Sequence, residues 1–353
     1  MTYLNSKLVI KGIEIKNRIV MPPMVCFGYT KADGIITQKT IEHYKERAKG
    51  GCGLIIIEAA CIMIDARLDI SQIGIWSDDH IEGFSKLAKA CHEYGTKVIV
   101  QIHHAGLKLS KKVEGKVLAP SSYQDKNVKA EEINTQEIKE IQEAFVAAAI
   151  RAEKAGLDGV ELHGAHGYLI SQFFSPIVNK REDEYGGSIE NRTRFTTEIV
   201  GKIRKSTGSN FIIGCRMGCN EPDLASSIEI AKGLEAAGVD LLHISTGFDS
   251  DVIPSLPKDL PYNWIVYGGT QIKKAVSVPV IVVNEIKKAE QAKFIIEEGL
   301  ADFVAIGKSL LVDPAWANKA LAGEAIDKCF NCPNCSWFSR DRAKVCPGEK
   351  AKR

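Results

Sequence analysis

Eight apolar stretches rich in β-branched residues alternate along this chain with stretches of helical periodicity. Continuous apolar runs without polar alternation are typical of strands that are buried on both faces. Eight such strands alternating with helices predict an α/β fold, a (β/α)8 TIM barrel. The eight predicted strands cover residues 18–21, 54–57, 97–102, 159–162, 211–216, 241–245, 279–283 and 303–307.

The stretches between the predicted strands read as amphipathic helices, for example residues 135–146 with Thr135 as the expected N-cap. A doubly wound sheet is the alternative fold, but it rarely needs eight regular repeats. We expect the barrel to occupy residues 1–325, with a short hairpin over 108–134, and a cysteine-rich tail to occupy 326–353. Glycines are expected to close several helices ahead of the next strand, namely Gly50, Gly51, Gly95, Gly156, Gly238 and Gly299.

The fourth predicted strand is followed by two imidazoles and a phenol within six residues, His163, His166 and Tyr168. In a barrel of parallel strands, catalytic groups lie at this end of the strands. Neutral imidazoles can donate hydrogen bonds to a substrate oxygen, and a phenol can donate a proton to carbon. An ordinary polar strand-to-helix turn is the alternative, but the His-x-x-His-x-Tyr spacing favours a catalytic site.

Other strand ends add groups that suit a planar ring with a phosphate tail. Gln101 in the third strand and Arg216 in the fifth fit a heteroaromatic ring that gains negative charge. Gly307 and Lys308 follow the eighth strand, where barrels often bind phosphate. This combination describes a reduced flavin, although phosphate-binding barrels also include isomerases and aldolases.

Composition narrows the possible partners of the chain. The formal net charge of its 353 residues is +2, so no strong field attracts nucleic acid or a membrane surface. Its longest apolar runs are far shorter than the roughly 20 residues that span a bilayer. The first residues lack a signal-peptide pattern. We therefore expect a cytoplasmic protein that acts on a small molecule, without nucleic-acid or membrane partners.

The ten cysteines fall into two groups. Four crowd the tail, at Cys329, Cys332, Cys335 and Cys346, and in a cytosolic protein such a cluster favours metal or redox chemistry over disulfides. Most of the remaining six lie in or beside apolar runs and read as small buried hydrophobic residues. These six are Cys26, Cys52, Cys61, Cys91, Cys215 and Cys219.

Long motifs in the chain resemble the old yellow enzyme family of FMN-dependent oxidoreductases. The most specific are HGAHGYLISQFFSP at residues 163–176 and NKRxDxYGGSxENRxRF at residues 179–195. NRIVMxPM at residues 17–24 and GIWSDDHI at residues 74–81 add to them, and the resemblance runs from about residue 4 to residue 325.

The resemblance implies a site that holds FMN and uses NAD(P)H as co-substrate. It implies that His163 and His166 grip a carbonyl or similar electron-withdrawing group, and that Tyr168 protonates the alkene α-carbon. The residues that it places against FMN are Pro22, Pro23, Met24, Ala59, Gln101, Arg216, Asn284, Gly307 and Lys308.

This chain departs from the family pattern at three positions. Val25 follows the first-strand Pro-Met, where many relatives place Cys or Thr against the flavin, and Cys26 comes one residue later. Asn284 stands in place of a common Gly in the seventh-strand phosphate loop. Lys308 stands in place of a common Arg, which exchanges a bidentate fork for a point charge.

The tail resembles one branch of that family, similar to 2,4-dienoyl-CoA reductase and trimethylamine dehydrogenase. These larger relatives carry a four-cysteine iron–sulfur motif just after the barrel, followed by a second nucleotide-binding domain. The resemblance implies a 4Fe–4S cluster on Cys329, Cys332, Cys335 and Cys346, and a four-thiolate zinc site is the alternative. Because the sequence has no G-x-G-x-x-G fingerprint, we expect the second domain to be missing.

The function most consistent with these residues and with the family resemblance is therefore reduction of activated alkenes by NAD(P)H through FMN. Without a second domain, electrons would come from NAD(P)H bound over the FMN or from a separate electron-transfer protein that reaches the cluster. An amine dehydrogenase or demethylase and an electron-transfer component remain as alternatives. The His-x-x-His pair suits an oxygen-bearing acceptor better than a cationic amine, which would want an aromatic cage. We also expect a homo-oligomer.

Overall fold

The structure, a computed structural model, describes residues 2–248, 252–257, 260–333, 335–338 and 346–350. Eight parallel strands close into a barrel. Each predicted strand is present, so the predicted TIM barrel is confirmed. The barrel strands are β3 (Ile19–Met21), β4 (Leu54–Cys61), β5 (Lys97–His103), β9 (Gly159–Gly164), β10 (Ile212–Gly218), β11 (Leu241–Ser245), β12 (Val280–Val283) and β13 (Phe303–Ala305). They are hydrogen-bonded in the order β10-β11-β12-β13-β3-β4-β5-β9.

Alternate residues of the barrel strands pack into two different apolar clusters. Val20 and Ile56 point into the barrel, where they join Ile15 of a small hairpin. Ile55 and Ile57 point outward into the layer beneath the helices. Both faces of each strand are therefore buried, which explains why the strands read as continuous apolar runs. The hairpin is formed by β1 (Leu8–Ile10) and β2 (Ile13–Ile15).

The helices surround the barrel. The helix that starts at Thr135 is longer than predicted, and its N-cap is Asn134 rather than Thr135: the Asn134 side chain accepts from the Glu137 backbone N–H, and the Glu137 carboxylate accepts in return. This reciprocal capping box satisfies two helix-end donors at once. The helices are α1 (Gln38–Lys49), α2 (Ile81–His92), α3 (Thr135–Lys154), α4 (Leu169–Phe174), α5 (Ile189–Ser206), α6 (Leu224–Ala236), α7 (Trp264–Ala275), α8 (Ala289–Glu297), α9 (Lys308–Val312), α10 (Trp316–Ala322) and α11 (Pro347–Lys350).

The segment between β5 and α3 forms the predicted hairpin as part of a three-stranded sheet. Its strands are β6 (Leu118–Ala119), β7 (Tyr123–Gln124) and β8 (Lys129–Glu132), with β7 and β8 antiparallel. Ala119 and Ala130 pack against Phe248, which follows the sixth barrel strand. The sheet therefore lies beside the carboxyl ends of the barrel strands.

The tail contacts the barrel through an aromatic side chain. Trp337 is 2% exposed, and its ring stacks on that of His43 of α1 at 5.0 Å between centroids. The six scattered cysteines are all buried, as predicted. Within the described ranges, no helix combines the length and apolar character needed to cross a membrane.

Candidate functional site

A cavity of about 400 Å³ opens at the carboxyl ends of the barrel strands. Each residue that the sequence places at the flavin or in catalysis lies on its wall. These residues come from seven different strand ends, so closure of the barrel brings them together. They are Pro22, Pro23, Met24, Ala59, Gln101, His163, His166, Tyr168, Arg216, Asn284, Gly307 and Lys308.

The cavity wall also contains residues that the sequence analysis missed. Ser245 and Thr246 lie at the end of β11, the sixth barrel strand, and the strand-end reasoning used for the other strands would have found them. Lys287 belongs to the loop after β12. Phe338 reaches the wall from the tail, and no sequence pattern points to that contact.

The strand-to-helix turn after β9 fixes the two histidines and the tyrosine. His166 has a φ of +62°, and its backbone N–H donates to the carbonyl of Thr246 at 2.9 Å. Its Nε2 lies 2.7 Å from Oγ of Ser245. The ring centroid of His163 lies 5.1 Å from that of His166 and 4.7 Å from that of Tyr168. The three side chains therefore form one compact cluster in the cavity wall.

Burial keeps both histidines of the cluster neutral. Desolvation, reinforced by the neighbouring imidazoles and Arg216, holds the pKa of His163 well below its usual value. Desolvation and the charge of Arg216 do the same to the pKa of His166. Nδ1 of His163 is buried and has no hydrogen-bond partner in the part of the chain that the structure describes. A neutral imidazole can donate or accept through such a nitrogen, so the cluster suits a polar substrate atom.

A second group of polar side chains points into the barrel at the cavity floor. Gln101 pairs in register with Glu161, and Arg216 pairs with both His163 and His243. Inward-pointing residues of neighbouring strands share a layer, since side chains alternate between faces. Nε2 of Gln101 donates to Oε1 of Glu161 at 2.7 Å, and Nδ1 of His243 lies 2.8 Å from Oε2.

Arg216 supplies the positive charge of this floor. Burial lowers its pKa to about 10, although the Glu161 carboxylate opposes the shift, so the guanidinium remains protonated at neutral pH. One of its terminal nitrogens donates to Oγ of Ser245 at 3.3 Å. Nε is buried without a hydrogen-bond partner among the described residues. A buried cation with an unused donor fits a ligand that carries negative charge.

The opposite end of the cavity is basic and has an unusual backbone. Asn284 and Glu285 both have positive φ, at +109° and +55°. Lys287 forms an ion pair with Glu285, and Lys308 lies on the same wall next to Gly307. Strained backbone of this kind often occurs at ligand sites. Together with Gln101 and Arg216 at the other end, these groups fit an elongated molecule with a polar ring and an anionic tail.

The four cysteines of the tail line a second, smaller cavity. Cys329, Cys332, Cys335 and Cys346 share its wall with Lys308, which also lines the large cavity. In the described ranges, no group of three or more His, Cys, Asp or Glu side chains is arranged to hold a metal ion. The thiols thus face one common space without forming a closed ligand set, and the predicted 4Fe–4S site is not shown.

In a comparison with known protein families, residues 6–326 match the NADH:flavin oxidoreductase / NADH oxidase family. The chain is 42% identical over 337 residues to the NADH oxidase of Thermoanaerobacter brockii, covering 92% of this chain and 52% of that protein. It therefore spans about half the length of that relative.

This chain covers nearly the whole length of two further proteins. The NADPH dehydrogenase of Bacillus pumilus is 37% identical over 326 residues, which are 90% of this chain and 94% of that protein. The structure of the old yellow enzyme homologue from Zymomonas mobilis superposes with a TM-score of 0.79 at 26% identity, covering 93% of this chain and 95% of that one. The barrel fold is thus shared with the old yellow enzyme homologue.

Proposed function

The chain belongs to the NADH:flavin oxidoreductase / NADH oxidase family, and we propose that it is an FMN-dependent enzyme that reduces activated alkenes with NAD(P)H. The observation that carries this proposal is the placement of two neutral imidazoles and a phenol on one cavity wall, with an amide and a guanidinium on its floor. When bound, FMN would supply the chemistry of hydride transfer from NAD(P)H to the alkene.

Residues of the floor and of the basic end would hold FMN. Gln101 would present its side-chain oxygen and its remaining N–H to the polar edge of the ring, because one N–H already donates to Glu161. Arg216 would stabilise negative charge on the ring, since a fixed cation in a desolvated site favours the form that gains charge. Lys308 and Asn284 would face the phosphate tail, with Gly307 beside them. Pro22, Pro23, Met24 and Ala59 would form the apolar wall against the ring.

The histidine–tyrosine cluster would bind and protonate the substrate. His163 and His166 would donate hydrogen bonds to the carbonyl oxygen of an enone, which makes the β-carbon a better hydride acceptor. The Tyr168 phenol would give its proton to the α-carbon. The contact between His166 and Ser245 would hold the His166 imidazole in a fixed orientation while the substrate is bound.

Anaerobic half-reactions test this proposal. FMN-loaded protein is mixed with NADH or NADPH, and then with 2-cyclohexenone, while the flavin absorbance is followed. We expect bleaching by the nucleotide and recovery by the enone. If the enone does not restore the flavin absorbance after complete bleaching, the proposal of alkene reduction is wrong. Bleaching by trimethylamine would favour the amine dehydrogenase alternative.

Variants of the two histidines provide a matched control. In the double variant His163→Ala, His166→Ala, both donors to the oxygen are lost, so flavin titration should detect weaker binding of enones and phenols. The corresponding Asn variants should retain part of the binding, because an amide of similar reach still donates. Reduction of the flavin by NAD(P)H should continue in both. Equal ligand affinity in wild type and the double Ala variant would exclude the pair from substrate binding.

We also propose a role for the tail, in which a 4Fe–4S cluster is held by Cys329, Cys332, Cys335 and Cys346. The observation that favours it is their shared cavity beside Lys308. Thiolates are the ligands that iron–sulfur clusters prefer, and such a cluster passes single electrons between the flavin and a partner protein. Anaerobic metal analysis tests this role: about four irons with acid-labile sulfide support it, whereas one zinc without sulfide would leave a structural clip.

A further inference from the structure

A buried carboxyl group lies behind the catalytic turn and is not used by the proposed reaction. Glu221 follows β10 by three residues, and its side chain is 1% exposed. Its Oε2 accepts a hydrogen bond from Oγ of Ser171 at 2.8 Å and another from the backbone N–H of Phe248 at 2.9 Å. One carboxyl group thus joins α4, which follows the fourth barrel strand, to the loops after the fifth and sixth barrel strands.

The Ser171 hydroxyl connects this carboxyl to the turn that carries Tyr168. Its Oγ also accepts from the backbone N–H of Gly167, the residue before the tyrosine, at 3.3 Å. The loop on the other side is packed just as tightly, because a Cβ added at Gly247 would lie 2.3 Å from Oε2 of Glu221. Any movement of the carboxyl group therefore has to move its neighbours.

We propose that Glu221 is a positioning residue that holds Tyr168 in place while its carboxyl group is protonated, and that its ionisation sets the alkaline limit of alkene reduction. This inference rests on the proposed function, in which Tyr168 donates the proton. Glu221 is not among the cavity-lining residues that the structure describes, so it would act through the turn and not on the substrate directly.

The surroundings of Glu221 favour the protonated form at neutral pH. Burial raises its pKa to about 8, and this effect outweighs the hydrogen bonds from Ser171 and Phe248, which favour the carboxylate. The Ser175 hydroxyl and the Arg192 guanidinium of α5 face the group as well, and both also favour the carboxylate. Oε1 is buried and forms no hydrogen bond with the described residues.

Ionisation would change the packing around the turn. A charged oxygen without a partner is costly in an apolar interior, so the carboxylate has to reach water or a new donor. Because Oε2 is bound to Ser171 and to the Phe248 amide, such a movement pulls on α4 and on Gly167. The phenol of Tyr168, next in the chain, then loses its alignment with the substrate carbon.

The test uses the FMN-loaded enzyme, reduced beforehand and mixed with 2-cyclohexenone in single turnover between pH 7 and 9.5. In the wild type, loss of one proton with a pKa near 8 should slow the reaction roughly 30-fold across this range. In Glu221→Gln, whose amide cannot ionise, the rate should vary less than threefold, whatever its absolute value. The same alkaline fall in the variant would overturn the proposal.

Two serine variants make the test specific. Ser171→Ala removes a donor to the carboxylate and cuts the link to Gly167. The carboxyl group should therefore ionise at higher pH, and the alkaline fall in rate should become smaller. Ser227→Ala is the matched control: its hydroxyl is equally buried, but it accepts from the backbone N–H of Glu221 and does not touch the carboxyl group. Its alkaline fall should equal that of the wild type in midpoint and size. An alkaline fall in Ser171→Ala with the midpoint and size of the wild type would contradict the proposal.

An infrared measurement keeps the inference separate from the alkene reaction. The carbonyl stretch of a protonated carboxylic acid should be present in the wild type at pH 7, vanish with a midpoint near pH 8, and be absent in Glu221→Gln. Its absence in the wild type would overturn the inference even if alkenes are reduced. If the Glu221→Gln variant fails to fold, the wild-type infrared titration and the Ser171→Ala shift decide the matter.

Discussion

The side-chain amide nitrogen of Gln101 lies 2.7 Å from a carboxylate oxygen of Glu161, on the neighbouring barrel strand. A carboxylate only accepts hydrogen bonds, so this contact fixes the orientation of the amide. The oxygen of Gln101 and the second N–H of its amide are therefore the groups left for a ligand in the cavity. Glu161 thus fixes the orientation in which Gln101 faces a flavin, and its charge partly balances that of Arg216.

Glu161→Gln should raise the reduction potential of bound FMN. The substitution removes a negative charge beneath the ring and leaves Arg216 without its counter-charge, so the anionic reduced ring gains stability. We expect a rise of about 30 mV or more, since 30 mV is a tenfold change for a two-electron couple. Spectroelectrochemical titration measures it. Glu221→Gln is the control for the substitution itself: it replaces a buried carboxyl that is protonated at neutral pH and lies away from the cavity wall, so the potential should stay unchanged.

Tyr168→Phe should separate the two half-reactions. The phenol lies beside His163 in the cavity wall, at 4.7 Å between ring centroids, where it can reach a substrate held by the histidines. Loss of the proton donor should slow flavin reoxidation by the enone roughly 100-fold, the usual scale for a general acid. Flavin reduction by NAD(P)H should change little. Stopped-flow traces of both steps provide the comparison, and equal reoxidation rates would remove Tyr168 from the mechanism.

Stability should fall on the acid side because buried histidines are held neutral. Burial keeps the pKa values of His43, His103, His163 and His166 well below 6.5 in the folded chain. Below pH 6.5 the unfolded chain binds more protons, so the stability present above this pH is lost as the pH falls. Each of these histidines lowers the free energy of unfolding by up to about 1.4 kcal/mol for each pH unit below 6.5.

Thermal unfolding between pH 7 and pH 5 measures this effect. The midpoint temperature of the wild type should drop steadily over that interval. In the double variant His163→Asn, His166→Asn, two of the groups that resist protonation are gone, so the drop should be smaller. A slope equal to that of the wild type would indicate that the two histidines are already protonated or solvated in the folded chain.

The barrel and the strand-end residues could be predicted because each depends on local patterns. Continuous apolar runs indicate strands buried on both faces, and strand order then brings the polar residues at their ends together. His163, His166 and Tyr168 stand within six residues, so their proximity needed little tertiary information.

The supporting contacts could not be predicted in the same way. Glu221 lies 50 residues from Ser171 in the chain, and no spacing rule connects them. Asn134, and not Thr135, is the N-cap, because its capping box with Glu137 satisfies two backbone donors. The spacing of apolar residues does not distinguish two N-cap positions that differ by one residue. Phe338 enters the cavity through the docking of the tail, which depends on Trp337.

The tail should be held by Trp337 and shape the cavity through Phe338. Trp337 is buried against His43 and lines the cysteine cavity, whereas Phe338 is 42% exposed and lines the large one. Trp337→Ala should therefore loosen the tail and speed the reaction of its four thiols with a thiol reagent, in the presence of a chelator, by about tenfold or more. A tenfold change corresponds to about 1.4 kcal/mol, less than the usual cost of truncating a buried Trp.

Phe338→Ala is the matched control, because it truncates the neighbouring aromatic without touching the stack on His43. Its thiols should react at the wild-type rate, while KM for the enone rises severalfold as the cavity widens. The six buried cysteines serve as an internal reference and should react only after global unfolding. Equal thiol reactivity in Trp337→Ala and Phe338→Ala would show that the stack on His43 does not hold the tail.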